Sequence, residues 1–166
     1  GQALADRDVG PLISARQREI VERYLAIACD SGLVVAAQGS IDGDAPPGGF
    51  YVRPTLLAPV TDTHTLAQEE IFGPVLAVLP FDDEADAVRI ANGAAYGLVA
   101  GGWPRDGSRA LRVARRIRTG TINVNGGNFY AADAPFGGYR QSGLGREMGP
   151  EGFEEYLETK TIALRV

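Results

Sequence analysis

The stretch that decides the fold is Pro74–Asn125, "PVLAVLPFDDEADAVRIANGAAYGLVAGGWPRDGSRALRVARRIRTGTINVN". "PVLAVLPF" (74–81) is an apolar run of strand length and reads as a buried strand. "DDEADAVRIANGA" (82–94) has the spacing of an amphipathic helix, and "GLVAGGW" (97–103) reads as a second strand. "DGSRALRVARRIR" (106–118) is a second helix and "GTINVN" (120–125) a third strand. Strand, helix, strand, helix, strand with short connections calls for parallel strands joined by right-handed crossovers. The fold class is therefore α/β, with a parallel-type sheet covered by crossover helices.

Upstream, Ser14 is placed to cap a helix that runs to about Asp30. Ile20, Tyr24, Ile27 and Ala28 recur on it at helical spacing, and Gly32 is placed to end it. "LVVAAQG" (33–39) reads as a strand, and the loop "SIDGDAPPGG" (40–49) holds too much Gly and Pro to extend either neighbour. "FYVRPTLLAPV" (50–60) is extended but irregular, because Pro54 and Pro59 remove two ladder donors. Downstream, a Gly-rich loop leads to a short helix near Pro150–Leu157. In "ETKTIALRV" (158–166), Lys160, Ile162, Leu164 and Val166 alternate with Thr161, Ala163 and Arg165, the pattern of a strand with two unlike faces. No internal repeat or dividing linker is visible.

A chain of 166 residues suits one domain with a real core. Its net charge of -5 speaks against nucleic acid or an anionic membrane surface as a partner. No run of about 18 apolar residues exists to span a membrane, and the first ten residues carry no secretory signal pattern. The single cysteine, Cys29, excludes an intrachain disulfide framework and favours a reducing, cytoplasmic compartment. The first residue is Gly rather than Met, so the chain is expected to be a piece of a longer polypeptide.

Several residues invite a functional interpretation that their surroundings weaken. Arg105, Arg109, Arg112, Arg115, Arg116 and Arg118 suggest a phosphate-binding face. Ala110, Leu111, Ala114 and Ile117 form the apolar stripe of the same helix, however, so a solvated face is expected. Cys29 has no His, Arg or Lys nearby in sequence to lower its pKa and is expected to be a small buried residue. His64 has no second His or Cys at metal-ligand spacing, which leaves a loop histidine. "PFGGYRQSGLGREMG" (135–149) lacks the Gly-Lys-Ser/Thr of a phosphate loop and the third Gly of a dinucleotide fingerprint. Its glycines imply positive-φ turns or close backbone contacts. "QEEIFGPV" (68–75) sets two carboxylates before an apolar pair and a Gly-Pro turn. Either a solvated loop ends there, or one carboxylate meets a ligand.

"QEEIFGPV" followed by "PFGGYRQSGLGREMGPEGFEEYLETKT" (135–161) resembles the NAD(P)-dependent aldehyde dehydrogenase superfamily. "VGPLISARQREIVERYL" (9–25) and "GGFYVRPTLL" (48–57) precede them in the family's order. The resemblance covers practically the whole chain, but only the C-terminal third or so of the family's chain. One departure is Arg140, where relatives often carry Lys. The resemblance implies the C-terminal part of a catalytic domain (1–157) and a C-terminal oligomerisation strand (158–166) that extends a neighbouring subunit's sheet in a homo-oligomer. An unpaired strand of that kind is a sticky edge.

In that family a cysteine thiolate attacks the aldehyde, hydride passes to the nicotinamide of NAD or NADP, and a glutamate-activated water hydrolyses the thioester. By the resemblance, both residues belong to sequence preceding this segment, and Cys29 does not match the nucleophile. No catalytic residue is therefore expected here, and the chain alone is expected to be inactive. The resemblance makes Glu70 the acceptor of hydrogen bonds from two ribose hydroxyls on the nicotinamide side, with charge assistance strengthening both. Phe72 would pack near the nicotinamide ring, and Gln17 would approach the cofactor. Glu69 is expected to be an exposed neighbour. Tyr130 and Phe136 match aromatic positions lining the aldehyde tunnel, with core packing as their alternative role. Two further functions stay open: a naturally short, non-catalytic relative acting as an interaction or regulatory subunit, and a nucleotide-binding module without chemistry.

Overall fold

The computed structural model describes residues 9–127 and 129–165. They fall into two compact units, one ending at Asp82 and the other beginning at Asp83.

In the first unit, helix α1 (Ala15–Asp30) starts as the sequence implies, with the Ser14 hydroxyl accepting from the Gln17 N–H at 3.2 Å. It ends at Gly32, whose φ of +73° turns the chain so that Leu33 N–H reaches the Ala28 carbonyl at 2.9 Å. The buried stripe is Val21, Tyr24 and Ala28, with Ile20 and Ile27 only partly covered beside it. Cys29 is exposed, contrary to expectation. One residue past Ala28 is about 100° around the helix, which carries the thiol off the buried stripe.

Strand β1 (Val35–Gln38) runs antiparallel to β2 (Thr55–Leu57), which runs parallel to β3 (Val75–Ala77), in the order β1-β2-β3. Helix α2 (Thr65–Gln68) is a single turn capped by His64, whose Nδ1 accepts from the Leu66 N–H at 3.1 Å. That bond fixes the tautomer with the proton on Nε2, which lies 2.9 Å from Ser31 Oγ. The core is Val21, Tyr24, Ala28, Leu57, Val60, Leu66 and Ile71. The expected buried strand at 74–81 is corrected: β3 spans three residues, and Leu76 is 59% exposed. β3 is an edge strand, and alternation sends Leu76 to the face opposite the core. An open apolar hollow of about 520 Å³ lies over that face, lined by Ala37, Leu56, Val75 and Leu76 among others.

In the second unit, helix α3 (Glu84–Ala91) is capped by Asp83, whose Oδ1 accepts from the Asp86 N–H at 2.8 Å. Strands β4 (Val99–Gly102) and β5 (Thr121–Val124) pair in parallel, Val99 opposite Thr121, joined through helix α4 (Gly107–Ala114). This is the crossover read from the sequence. Among the described residues, β1-β2-β3 form a three-stranded sheet in the first unit and β4-β5 a two-stranded sheet in the second.

The arginine face of α4 is less idle than expected. Arg112 binds Glu84 of α3 with two hydrogen bonds, at 2.8 and 2.7 Å, and Arg109 and Arg116 reach the same carboxylate at 3.5 and 3.6 Å. Leu111 turns out to solvent, and Ala110 is the buried residue of the helix. Arg140 is also structural. Its guanidinium donates to the Asn92 carbonyl at 2.9 Å and to the Ala94 carbonyl, tying the Gly-rich loop to the end of α3. Helix α5 (Gly149–Glu154) follows. Residues 158–165 are exposed and pair with no described strand of this chain. Residues 158–165 form no strand among the described residues, and Val166 lies outside them.

Candidate functional site

Residues 69–73 bring Glu70 and Phe72 into position. Past α2, Glu69 adopts extended backbone (φ -113°, ψ 151°). Glu69 is turned toward α1, where the buried Tyr24 hydroxyl donates to its Oε2 at 2.6 Å. Ile71 is buried in the core. The intervening Glu70 and the following Phe72 are exposed, Phe72 to 74%. The two acids of "QEEIFGPV" thus differ in role. Glu69 is exposed, as expected, and is also hydrogen-bonded to a core residue. Glu70 forms no hydrogen bond or ion pair among the described residues.

The Tyr24–Glu69 bond also pushes the phenol pKa of Tyr24 above its ordinary value of 10.0. Donation to Glu69 is the largest cause, followed by burial and then the charge of Glu69.

Gln17 serves the same segment. Its amide nitrogen donates to the carbonyls of Ile71 at 3.0 Å and Phe72 at 3.1 Å, so only its amide oxygen is left to approach a ligand. Phe72 has φ +54°, a conformation a bulky residue adopts only at a cost of about 1–2 kcal/mol. The left-handed turn therefore sits on Phe72 and not on Gly73. Gly73 is required for a different reason: a Cβ there would lie under 3.0 Å from Cγ2 of the fully buried Val21.

An exposed carboxylate with no hydrogen bond or ion pair among the described residues thus lies two residues before an exposed aromatic ring. That pair can bind adjacent hydroxyls and stack a flat ring. These side chains fit a nicotinamide riboside moiety: two acceptor oxygens for two hydroxyls, and an apolar ring for a heteroaromatic one. Among the described residues no group of three or more His, Cys, Asp or Glu is gathered to hold a metal, and no helix is long and apolar enough to cross a membrane.

In the second unit, Tyr130 and Phe136 pack edge to face, with ring centroids 5.3 Å apart and planes at 72°. Phe136 exchanges backbone hydrogen bonds with Glu147 at 2.8 and 2.7 Å. The segment before Tyr130 is tied to β5 by the Phe129 N–H donating to Asn123 Oδ1 at 3.1 Å. Tyr130 is 62% exposed and Phe136 is half-buried. The Gly-rich loop behaves as its composition implies: Gly143, Gly145 and Gly149 have positive φ, and Gly137 and Gly138 face close backbone contacts.

Sequence reasoning missed Tyr24 and Glu69. Tyr24 was visible only as a core residue of α1, and nothing local announces a partner 45 positions away.

The model of the aldehyde dehydrogenase family matches residues 1–162. Betaine aldehyde dehydrogenase of Rhizobium leguminosarum is 43% identical over 154 residues, which are 93% of this chain and 32% of that protein. Geranial dehydrogenase of Castellaniella defragrans is 41% identical over 158 residues, 94% of this chain and 32% of that protein. Among solved structures, Mycobacterium tuberculosis aldehyde dehydrogenase complexed with NAD+ superposes with a TM-score of 0.87 at 43% identity, covering 95% of this chain and 32% of that one. Staphylococcus aureus betaine aldehyde dehydrogenase in complex with NAD+ gives 0.88 at 39% identity, covering 94% and 31%. The chain thus spans about a third of the length of the relatives it matches. Over that span it belongs to the aldehyde dehydrogenase family.

Proposed function

We propose that this chain is the part of an NAD(P)+-dependent aldehyde dehydrogenase that holds the nicotinamide half of the cofactor. The supporting observation is that Glu70, which forms no hydrogen bond or ion pair among the described residues, and Phe72 are both exposed, while Glu69 and Ile71 are tied to the core. Relatives with the same fold are crystallised with NAD+. Glu70 accepts from the two ribose hydroxyls, Phe72 packs beside the nicotinamide, and Gln17 offers its amide oxygen. Bound there, the cofactor would supply hydride acceptance, while Glu70 and Phe72 fix the position of the ring. Tyr130 and Phe136 form part of an apolar wall for the aldehyde.

The nucleophile and the general base would come from the remaining two-thirds of such an enzyme, so this chain alone turns over no aldehyde. Residues 158–166 pair with a neighbouring subunit's sheet to build a homo-oligomer, and the setting is cytoplasmic. Enzymes named for two different aldehydes match this segment at 43% and 41% identity. The match therefore does not name the aldehyde.

The test uses a chimera in which this segment replaces the corresponding third of the Mycobacterium tuberculosis enzyme. The chimera should reduce NAD+ with an aldehyde, and the isolated chain should not. Glu70→Ala in the chimera should raise KM for NAD+ about tenfold to a hundredfold, the equivalent of one or two charge-assisted hydrogen bonds. An unchanged KM and kcat in that variant, or sustained NADH production by the isolated chain, would contradict the proposal.

A further inference from the structure

We propose that Tyr24 and Glu69 are positioning residues. Their hydrogen bond, acting with the Gln17 amide, holds residues 69–73 so that Glu70 and Phe72 face the nicotinamide riboside. The inference rests on the cofactor role proposed for Glu70 and Phe72 and extends it to two residues that do not touch the cofactor.

Three attachments converge on the segment. Tyr24 Oη donates to Glu69 Oε2 at 2.6 Å, a short, charge-assisted bond. The Gln17 amide spans the carbonyls of Ile71 and Phe72 at 3.0 and 3.1 Å. Gly73 sits against Val21 with no room for a Cβ. All three partners, Gln17, Val21 and Tyr24, lie on two turns of α1, at positions i, i+4 and i+7 of one helix face. A rigid helix is thus attached before, within and after the two outward residues. The need for such attachment is visible in Phe72, whose φ of +54° would relax in a free chain. A carboxylate at Glu69 is otherwise unnecessary, since an exposed position demands no charge. Its bond to a phenol that is only 7% exposed gives it a purpose.

Tyr24→Phe removes the hydroxyl and leaves the ring in the core. Glu69→Ala removes the acceptor, and Glu69→Gln keeps an acceptor oxygen and loses only the charge. Val60→Ala is the control: Val60 is buried in the same core but makes none of these contacts. Two readouts are made on the isotopically labelled chain. The three-bond amide-to-α-proton coupling of Phe72 reports its φ. Titration with nicotinamide mononucleotide, followed at the Glu70 and Phe72 amides, reports binding.

Tyr24→Phe and Glu69→Ala should shift the coupling and raise the dissociation constant about threefold to tenfold, the range of one lost hydrogen bond. Glu69→Gln should stay within about twofold of the parent. Val60→Ala should lower stability and move neither readout, which separates positioning from mere destabilisation. Unchanged coupling in both Tyr24→Phe and Glu69→Ala overturns the proposal, as does changed coupling with unchanged affinity. If the parent chain gives no response to the mononucleotide at Glu70 and Phe72, the cofactor role itself fails. The coupling then still decides whether Tyr24 and Glu69 hold the segment.

Discussion

Gly73→Ala puts a methyl group where Val21 already is. The new Cβ would lie under 3.0 Å from Val21 Cγ2 and 3.4 and 3.5 Å from its Cγ1 and Cβ. Val21 is 0% exposed and at the centre of the first unit's core, so it has no free space to move into. Overpacking of this kind costs about 1–3 kcal/mol. Gly73 is not among the positive-φ glycines, so its backbone accepts alanine. The smaller unfolded-state entropy then returns about 0.4–1 kcal/mol, for a net loss of about 1–2 kcal/mol. Val21→Ala alone deletes two buried methyl groups and leaves a cavity, a loss of about 2–3 kcal/mol. In the double variant the methyl group introduced by Gly73→Ala occupies part of that cavity, so the combined loss should fall short of the sum by about 1–2 kcal/mol. Hydrogen exchange of the α1 amides measures all four corners of this cycle within the unit concerned. Additivity within about 0.5 kcal/mol, or a Gly73→Ala variant as stable as the parent, would refute the close-packing account of Gly73.

Three further outcomes follow from the same geometry. The Glu84 carboxyl is held below its ordinary value of 4.5, first by the hydrogen bonds from Arg112 and then by the charges of Arg112, Arg109 and Arg116; Asp106 is likewise lowered, chiefly by Ser108. A lowered carboxylate pKa means the unfolded chain binds more protons in the acid range, so stability present above pH 4.5 is lost as pH falls through the folded-state values. Urea unfolding of the second unit between pH 3 and 6 should show that loss, and Glu84→Gln should flatten its slope and its salt dependence. Removing residues 158–166 should reduce the mass measured by light scattering and leave the unfolding free energy within about 0.5 kcal/mol; an unchanged mass would remove the oligomerisation role. Phe72→Gly should leave the first unit as stable or more stable, because the positive φ becomes unstrained and a largely exposed ring is lost. The same change should weaken nicotinamide mononucleotide binding, and a marked loss of stability would show that the ring supports the fold instead.

What the sequence made legible was whatever depends on local periodicity. The start of α1 at Ser14 and its stop at Gly32 are set by cap and turn chemistry within a few residues. The β4-α4-β5 crossover follows from strand and helix periods over a short span. Errors arose where one position decides the outcome. Cys29 lies next to Ala28 and so about 100° away from the buried stripe, a difference that its small apolar character does not announce. Leu111, placed in the apolar stripe of α4, points to solvent for the same reason of phase. Leu76 looked buried because an edge strand and a central one share an apolar composition.

At the candidate site, family resemblance picked out Glu70 and Phe72, but only three-dimensional contacts explain why they face outward. The Tyr24–Glu69 bond and the contact of Gly73 with Val21 join residues 45 and 52 positions apart, beyond the reach of any local pattern. The left-handed turn at Phe72 was invisible as well, because the neighbouring glycine was the natural candidate for it.

The claim on which the rest depends is that Glu70 and Phe72 receive the nicotinamide riboside. Nuclear Overhauser contacts between nicotinamide mononucleotide and the labelled chain test it most directly. Cross-peaks should connect the nicotinamide protons to the Phe72 ring and the ribose protons to the Glu70 side chain, and Glu70→Ala should abolish them. Contacts confined to other residues, or contacts that survive Glu70→Ala unchanged, would contradict it.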